Sequence, residues 1–256
     1  MSDWNSNQYM KFCSERTQPS VDLINRIPER SIKRALDIGC GPGNSTAAVA
    51  QRFPSAEVIG VDASDDMLQK ARASHPGLRF EKCFGPEGRG ALGSFDLIFS
   101  NACLHWIPDH PQLLKALFAH LNESGSLAVQ MPLAYDAPFY RLLYAMIKEP
   151  KWSALGLERG SKFNILQPER YFDLLSGLSS SFQMWETYYY HTVDAPDGVL
   201  EWYKGSGLRP YLDLLDESGR SDFLAELLRR VEAEFPRREG GNVILKMPRL
   251  FFAAVK

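Results

Sequence analysis

Three glycines within five residues form the most informative group in this chain, the segment 39–43 with the sequence GCGPG. Glycine has no Cβ, so its backbone can approach a ligand closely. An apolar run that ends in Asp37 precedes these glycines, and Asn44 and Ser45 follow them at the start of a helical pattern. Open α/β sheets bind ligands at such strand-to-helix loops, beyond the carboxyl ends of the strands. The spacing therefore predicts a cofactor site at this loop.

The residues around the loop indicate which cofactor it binds. A phosphate-binding P-loop requires a lysine after its last glycine, and no lysine follows here. A nicotinamide-binding loop has the pattern GxGxxG, whereas Gly39, Gly41 and Gly43 give GxGxG. Asp37 would repel a phosphate but would favour the cationic sulfonium group of S-adenosylmethionine (SAM). Asp62 ends the next predicted strand, where a carboxylate can accept hydrogen bonds from both ribose hydroxyls. This set favours SAM.

Positioning these residues requires alternating strands and helices in the first half of the chain. The apolar patterns predict strands over 35–39, 57–62, 78–83, 95–102 and 125–132, and helices over 44–53, 64–74 and 110–121. Asn44 or Ser45 is predicted to cap the first of these helices, and Ser64 the second. Strands that alternate with helices of this length indicate βαβ units and a parallel sheet.

The regular alternation of strand and helix patterns ends after Pro132. Residues 133–180 are mostly helical, 182–193 form an aromatic and β-branched strand pattern, 195–236 are helical again, and 248–256 form a closing strand. We therefore expect one domain over 1–256. Its predicted parts are an N-terminal helical segment over the cofactor (1–30), a cofactor-binding core (31–132) and two helical substrate-cap insertions (133–180 and 195–245).

Composition excludes several classes of function. The formal net charge is −2 and 45% of the residues are hydrophobic, so the chain lacks the basic footprint of a nucleic-acid-binding protein. Four cysteines, at 13, 40, 83 and 103, show no metal-ligand spacing. The sequence carries no signal-peptide pattern and no apolar run of about 18–20 residues that could span a bilayer. We expect a cytoplasmic protein without a metal, with no membrane or nucleic-acid partner.

Three segments in order, LDIGCGPGNST, VIGVDASDDMLQKAR and FDLIFSNACLHWIPD, resemble the successive motifs of class I SAM-dependent methyltransferases. The resemblance implies an α/β fold, a doubly wound, mostly parallel, seven-stranded Rossmann-like sheet with a helical cap. It implies SAM as the cofactor and S-adenosylhomocysteine as its product. The cofactor-binding residues that it implies are Arg16, Asp37, Gly39, Cys40, Gly41, Asp62, Ala63, Met67, Cys83, Phe84 and Asn101. One position departs from the family, because Cys83 and Phe84 stand where an acidic residue usually binds the adenine amine.

Later segments extend the resemblance to members of the family that methylate a carboxylate of a small di- or tricarboxylic acid such as trans-aconitate. These segments are NACLHWIPDH, GSLAVQMP, YYYH, GLRPYLDLL and PRLFF. Binding such an acid requires cationic and hydrogen-bonding side chains, and the candidates are Tyr9, His105, Tyr188, Tyr189, His191, Arg209 and Arg249. Arginine suits a carboxylate because its planar fork donates two parallel hydrogen bonds, and Arg209 is expected in an exposed loop. Side chains alternate along a strand, so about half of YYYH is expected to pack rather than to bind.

The expected reaction needs no catalytic side chain. A carboxylate has a reference pKa of roughly 4 and is already ionised at pH 7, so the protein has only to position it. His105 is the candidate base if the acceptor is a different group. Two other functions stay open from the sequence. The chain could methylate a malonyl-acyl-carrier protein or another small molecule, or it could bind SAM without catalysis; its oligomeric state is not indicated.

Overall fold

The computed structural model describes residues 13–28, 30–83, 93–157 and 163–256, with only the backbone for 13–16. The strands are β1 (Arg34–Ile38), β2 (Glu57–Asp62), β3 (Arg79–Lys82), β4 (Phe95–Asn101), β5 (Leu121–Pro132), β6 (Ser181–Val193) and β7 (Val243–Val255). The helices are α1 (Cys13–Ile24), α2 (Asn44–Arg52), α3 (Asp65–Ser74), α4 (His110–Ala119), α5 (Pro138–Met146), α6 (Pro150–Ser153), α7 (Pro168–Leu178), α8 (Pro196–Lys204), α9 (Arg209–Leu212) and α10 (Glu217–Glu234). Short 3-10 turns lie at Leu104–Trp106 and Ala134–Asp136.

Seven strands form one sheet in the order β3-β2-β1-β4-β5-β7-β6. The pairs β1/β2, β1/β4, β2/β3 and β4/β5 are parallel. Strand β7 runs antiparallel to β5, because Leu133 N donates to Pro248 O while Lys256 N donates to Gly125 O. The chain places β2 and β3 on one side of β1, and β4 and β5 on the other. The carboxyl ends of β1 and β4 therefore mark the switch point where doubly wound sheets bind ligands. The predicted α/β fold with a mostly parallel seven-stranded sheet is confirmed.

Local sequence explains the central strands and their helices. Strands β1, β2 and β4 are nearly continuous apolar runs, and their buried pattern is that of parallel strands covered on both faces. Ser64 caps α3 as predicted, because its side chain accepts a hydrogen bond from Met67 N. The predicted cap of α2 is wrong: Gly43 is the N-cap residue and both Asn44 and Ser45 lie inside the helix. Gly43 has a φ of 93°, a conformation that glycine adopts without strain.

Two strands are longer than predicted. Strand β5 begins at Leu121 and β7 begins at Val243, although the sequence indicated 125 and 248. Residues 121–124 are mostly polar, so their pairing in the sheet decides their conformation. Residues 243–247 are mostly apolar and continue the strand through Pro248, although the sequence pattern predicts Pro248 as its first residue. Among the described residues, no helix is both long enough and apolar enough to cross a membrane.

The chain divides into two compact units. Unit 1 comprises Met1–Pro132, Asn164–Glu186 and Leu250–Lys256, and unit 2 comprises Leu133–Phe163 and Thr187–Arg249. The core of unit 1 is built on the strands, with Leu36, Ile59 and Phe99 each fully buried. In unit 2, helix α10 packs against α5 and α8, and the Trp152 and Phe223 rings meet edge to face at 5.1 Å. The predicted cap segments overlap unit 2 but do not share its boundaries, and their role as a cap stays a prediction.

Candidate functional site

The three glycines of the loop after β1 serve different purposes. A Cβ on Gly39 would lie 2.3 Å from the Cβ and Sγ atoms of Cys103, so Gly39 allows the chain after β4 to pack closely. A Cβ on Gly43 would lie 2.8 Å from the His75 ring. A Cβ on Gly41, whose φ is +53°, would meet no atom of the described residues within 4 Å. Gly41 therefore borders open space, as a backbone that receives a ligand should.

Asp62, at the carboxyl end of β2, ties this loop to the next one. Its Oδ2 accepts a hydrogen bond from Gly41 N at 2.9 Å, and its Oδ1 accepts one from Ser64 N at 2.9 Å. The residue is partly exposed. The position fits the predicted contact with ribose hydroxyls.

Asp37 lies beneath the loop and does not line the open space. It is fully buried, and its Oδ2 accepts hydrogen bonds of 2.6 Å from both Ser45 Oγ and Thr46 Oγ1 in the first turn of α2. Burial raises the pKa of Asp37 to about 6, although these two hydrogen bonds act in the opposite direction. Asp37 therefore anchors the start of α2 to the sheet, and direct contact with a sulfonium group is not what the geometry favours.

A small cleft opens at the glycine loop. It is lined by Thr17, Ser20, Gly39, Cys40, Gly41, Pro42, Asn44, Ser45 and Asn101. Two of its polar atoms, Ser20 Oγ and Asn101 Oδ1, are buried without a hydrogen-bond partner among the described residues. Buried polar groups nearly always have partners, so these atoms indicate a polar ligand. Open space at Gly41 together with these two atoms fits SAM.

Four of the predicted cofactor residues line this cleft, namely Gly39, Cys40, Gly41 and Asn101. Burial raises the pKa of the Cys40 thiol far above its usual range, so it is not an ionised group. Ala63 is exposed, whereas Met67 is buried in α3. Cys83 directly follows β3, and its backbone N donates to Asp62 O at 3.0 Å. Tyr9, Phe84 and the side chain of Arg16 lie outside the described residues.

Sequence reasoning missed Thr17 and Ser20, which reach the cleft from α1. Helix α1 packs against α2 and β5. The two residues are four and seven positions after the start of the helix, which places them on one helical face. That spacing was visible in the sequence, but nothing local showed which face would meet the glycine loop.

The chain after β4 is held in an unusual conformation. Ala102 has a φ of +52°, and its backbone N donates to Gln130 O at 3.0 Å. Non-glycine residues rarely adopt this conformation, and such strain is concentrated at functional sites. His105 follows in a 3-10 turn, 3% exposed, with its ring 4.9 Å from that of Trp106.

His110 stabilises the 3-10 turn that contains His105. Its Nε2 donates to Leu104 O at 3.0 Å, so its Nδ1 accepts a hydrogen bond from the Tyr171 hydroxyl. Burial lowers the pKa of His110, which keeps the ring neutral and able to make both bonds. Neither His110 nor Tyr171 was predicted as a functional residue, and their role is to support the turn that carries His105.

In unit 2, the predicted substrate residues on β6 divide between the two faces of the strand. Tyr189 and His191 lie on the half-buried face, where their rings are parallel and 6.0 Å apart, and His191 stacks on Trp202 at 4.9 Å. Tyr188 is 41% exposed on the opposite face, where the Lys246 Nζ lies 4.3 Å from the centroid of its ring. The structure therefore groups Tyr189 with His191 and separates Tyr188 from them.

Arg209 differs from its predicted setting. It begins the short helix α9 rather than lying in a loop, and its side chain is 21% exposed and 3.7 Å from the Asp213 carboxylate. A carboxylate four residues later on the same helical face explains this ion pair. Arg249, on β7, is also partly buried, with Nη2 3.7 Å from the sulfur of Met247.

Four tyrosines of unit 2, which we call the tyrosine cluster, were not predicted from the sequence. They are Tyr140, Tyr144, Tyr203 and Tyr211. The Tyr140 ring lies 5.2 Å from that of Tyr203 and 5.8 Å from that of Tyr144. Burial raises the pKa of Tyr140 well above its usual value, and the positive charge of Arg249 partly opposes this. The charge of Arg249 therefore acts on Tyr140, one member of this cluster.

Gly207 allows the cluster to form. A Cβ at this position would lie 2.1 Å from the Tyr140 hydroxyl, so the hydroxyl packs directly against the backbone two residues before Arg209. The segment GSGLRPY thus carries a glycine, an arginine and Tyr211 to one part of unit 2. A cation beside phenolic hydroxyl donors can bind an anion such as a carboxylate.

Comparison with known proteins adds an independent line of evidence. A model of the methyltransferase domain matches residues 35–125. A trans-aconitate 2-methyltransferase of Rhodopseudomonas palustris (strain BisB5) is 40% identical, with 100% of both chains covered. One of Escherichia coli O139:H28 is 38% identical, with 99% of this chain and 98% of that protein covered.

Solved structures show the same fold at low sequence identity. The YcgJ protein from Bacillus subtilis has a TM-score of 0.60 at 17% identity, with 93% of this chain and 98% of that chain covered. Phosphoethanolamine N-methyltransferase 2 of Haemonchus contortus, solved with S-adenosyl-L-methionine, has a TM-score of 0.54 at 17% identity, with 93% of this chain and 52% of that chain covered. These structures support the fold alone.

Proposed function

We propose a reaction for this chain, which belongs to the family of trans-aconitate 2-methyltransferases. It is a SAM-dependent methyltransferase, and the reaction that we propose forms a methyl ester on a carboxylate of trans-aconitate or a closely related small tricarboxylic acid. When bound, SAM would supply a methyl group on a positively charged sulfur, and S-adenosylhomocysteine would be the leaving group when an acceptor oxygen takes the methyl carbon.

The observation that carries the choice of acceptor is the pair of partly buried arginines in unit 2. Arg209 and Arg249 belong to different elements of the same unit, and Arg249 lies near the tyrosine cluster. Several carboxylates on one small molecule require several cationic or hydroxyl donors, and arginine binds carboxylates with two parallel hydrogen bonds. The relatives named for trans-aconitate match the whole chain, unit 2 included.

The residues of this chain act by binding and orienting. The glycine loop, Asp62, Ser20 and Asn101 of unit 1 would hold SAM, and the arginines of unit 2 would hold the acid. Orientation of two reacting groups can supply roughly 7–11 kcal/mol of the barrier reduction. No proton has to be removed from an ionised carboxylate, so we assign His105 a structural role in the 3-10 turn. A free small molecule is the proposed partner, consistent with a net charge of −2.

The direct test is identification of the product. The protein is incubated with SAM labelled with carbon-13 in the methyl group and with trans-aconitate, and the product is examined by NMR. We expect the label in a methyl ester. Citrate and a malonyl-acyl-carrier protein serve as competing acceptors. Preferential labelling of the malonyl thioester would replace this proposal, and SAM binding without transfer to any acceptor would favour a non-catalytic role.

A further inference from the structure

One face of the sheet in unit 1 carries a set of polar side chains. In the parallel pairs of β1 with β4 and of β4 with β5, Asp37 is opposite Phe99 and Asn101 is opposite Gln130. Opposite residues in parallel strands point to the same face of the sheet, and every second residue along a strand shares it. Asp37, Asn101, Gln130 and Ser126 therefore lie on one face.

Gln130 is the most unusual member of this set. The residue is fully buried, and neither its Nε2 nor its Oε1 has a hydrogen-bond partner among the described residues. A buried amide without partners costs free energy, because it loses its hydrogen bonds to water and gains none. An apolar residue of similar size would serve the core of a strand better. A glutamine at this position therefore indicates a ligand rather than a packing role.

The position of Gln130 associates it with the cleft. It is one strand further from the glycine loop than Asn101, which lines the cleft and has its own buried Oδ1 without a partner among the described residues. Its backbone carbonyl accepts the hydrogen bond from Ala102 N and so holds the strained turn after β4. The side chain of Gln130 thus lies beside Asn101 of the cleft on one face of the sheet, and its backbone supports the turn after β4.

We propose that Gln130 binds the carboxylate that receives the methyl group, with Nε2 donating a hydrogen bond to one of its two oxygens. This inference rests on the proposed esterification. An arginine fork would bind both oxygens of the reacting carboxylate and withdraw charge from each. A neutral amide binds one oxygen, orients the group and leaves the other oxygen free to attack.

Gln130→Met separates this role from a structural one. Methionine is similar in length and apolar, so it removes both unpaired polar atoms without leaving a large cavity. We expect kcat/KM for trans-aconitate to fall at least 30-fold, SAM affinity measured by calorimetry to change less than 3-fold, and the melting temperature to stay the same or rise. Gln130→Glu, which places a negative charge near the acceptor, should lower kcat/KM more than 100-fold.

Ser126→Ala is the matched control. Ser126 is also fully buried with an Oγ that has no partner among the described residues, but it lies four residues before Gln130, opposite Leu97 and toward the amino end of β5, away from the cleft. We expect its kinetics to equal those of the wild type. A lower melting temperature with unchanged kcat/KM in Gln130→Met would show a structural amide and overturn the proposal. Loss of SAM affinity would reassign Gln130 to the cofactor and overturn it as well.

The wild-type protein distinguishes failure of this inference from failure of the proposed function. If the wild type forms no methyl ester, the esterification itself is wrong and the role of Gln130 falls with it. If the wild type forms the ester and Gln130→Met retains its kcat/KM, only the role of Gln130 is wrong.

Discussion

The glycine loop of unit 1 and the tyrosine cluster of unit 2 are built in opposite ways. The loop is one short segment, and the backbone groups of Gly41 and Ser64 hold Asp62 in place. The cluster gathers Tyr140 and Tyr144 from α5, Tyr203 from α8 and Tyr211 from α9, and the charge of Arg249 on β7 acts on Tyr140.

This difference determines how each region should respond to substitution. A site built from backbone tolerates few side chains at its glycines, because a single Cβ can fill the space that the ligand needs. A site built from side chains depends on the charge and shape of individual groups. We therefore expect abrupt losses of cofactor binding in unit 1 and graded losses of acid binding in unit 2.

The largest effect is expected from Gly41→Val. Gly41 has a φ of +53° and its Cβ direction is open, so valine would be strained there and would occupy the ligand space. We expect SAM affinity to fall more than 100-fold with a near-normal circular dichroism spectrum. Gly39→Ala is the contrasting variant, because its Cβ would clash with Cys103 and should lower stability. Micromolar SAM binding by Gly41→Val would show that this glycine serves only the turn.

The buried acid beneath the loop should make stability depend on pH. Asp37 has a folded-state pKa of about 6, above its ordinary value of 3.8, so the folded protein binds more protons between these values. Its contribution to stability therefore falls as pH rises from about 4 to 6, by up to about 3 kcal/mol.

Urea unfolding of the wild type and of Asp37→Asn across this range measures the effect. The difference in unfolding free energy should shift in favour of Asp37→Asn as pH rises. If the difference in unfolding free energy is constant from pH 4 to 7, the pKa of Asp37 is not raised in the folded protein.

Asp62→Ala should weaken SAM binding by about 1.5–3 kcal/mol, the size of hydrogen bonds that involve a charged group. The substitution removes the acceptor of Gly41 N and the predicted ribose contact together. Asp65→Ala is a suitable control, because Asp65 is close in sequence and its side chain is 70% exposed. Equal SAM affinity in the Asp62 and Asp65 variants would remove the ribose assignment.

A smaller and more selective effect is expected from Arg209→Lys. Lysine keeps the charge but replaces the planar fork with a point donor, so KM for the acid should rise about tenfold, equivalent to about 1.4 kcal/mol. SAM affinity should not change. Arg229→Lys, on the exposed part of α10 with a side chain 71% exposed, is the matched control and should match the wild type. An unchanged KM for Arg209→Lys would show that Arg209 does not bind the acid.

The same contrast explains what the sequence could predict. The order of strands and helices, the glycine loop after β1 and the position of Asp62 at the end of β2 follow from patterns within short segments and are found as expected. The contacts of these residues with SAM stay predictions. The setting of Arg209 was wrong, because a four-residue helix leaves almost no periodic signal. The tyrosine cluster was missed because its rings meet only after distant helices pack. Gln130 carried a usable signal, since a glutamine inside an apolar strand is a polar group that must be explained.

The most direct test of a carboxylate acceptor is the pH dependence of the methyl-transfer rate with trans-aconitate. A carboxylate is fully ionised from about pH 6 to 9 and arginine does not titrate there, so kcat/KM should be nearly flat over this range. An amine, a phenol or a carbon acid would need a base, and a histidine such as His105 would impose a limb that rises near its pKa. We predict a flat profile of kcat/KM. A tenfold rise of kcat/KM per pH unit would contradict a carboxylate acceptor.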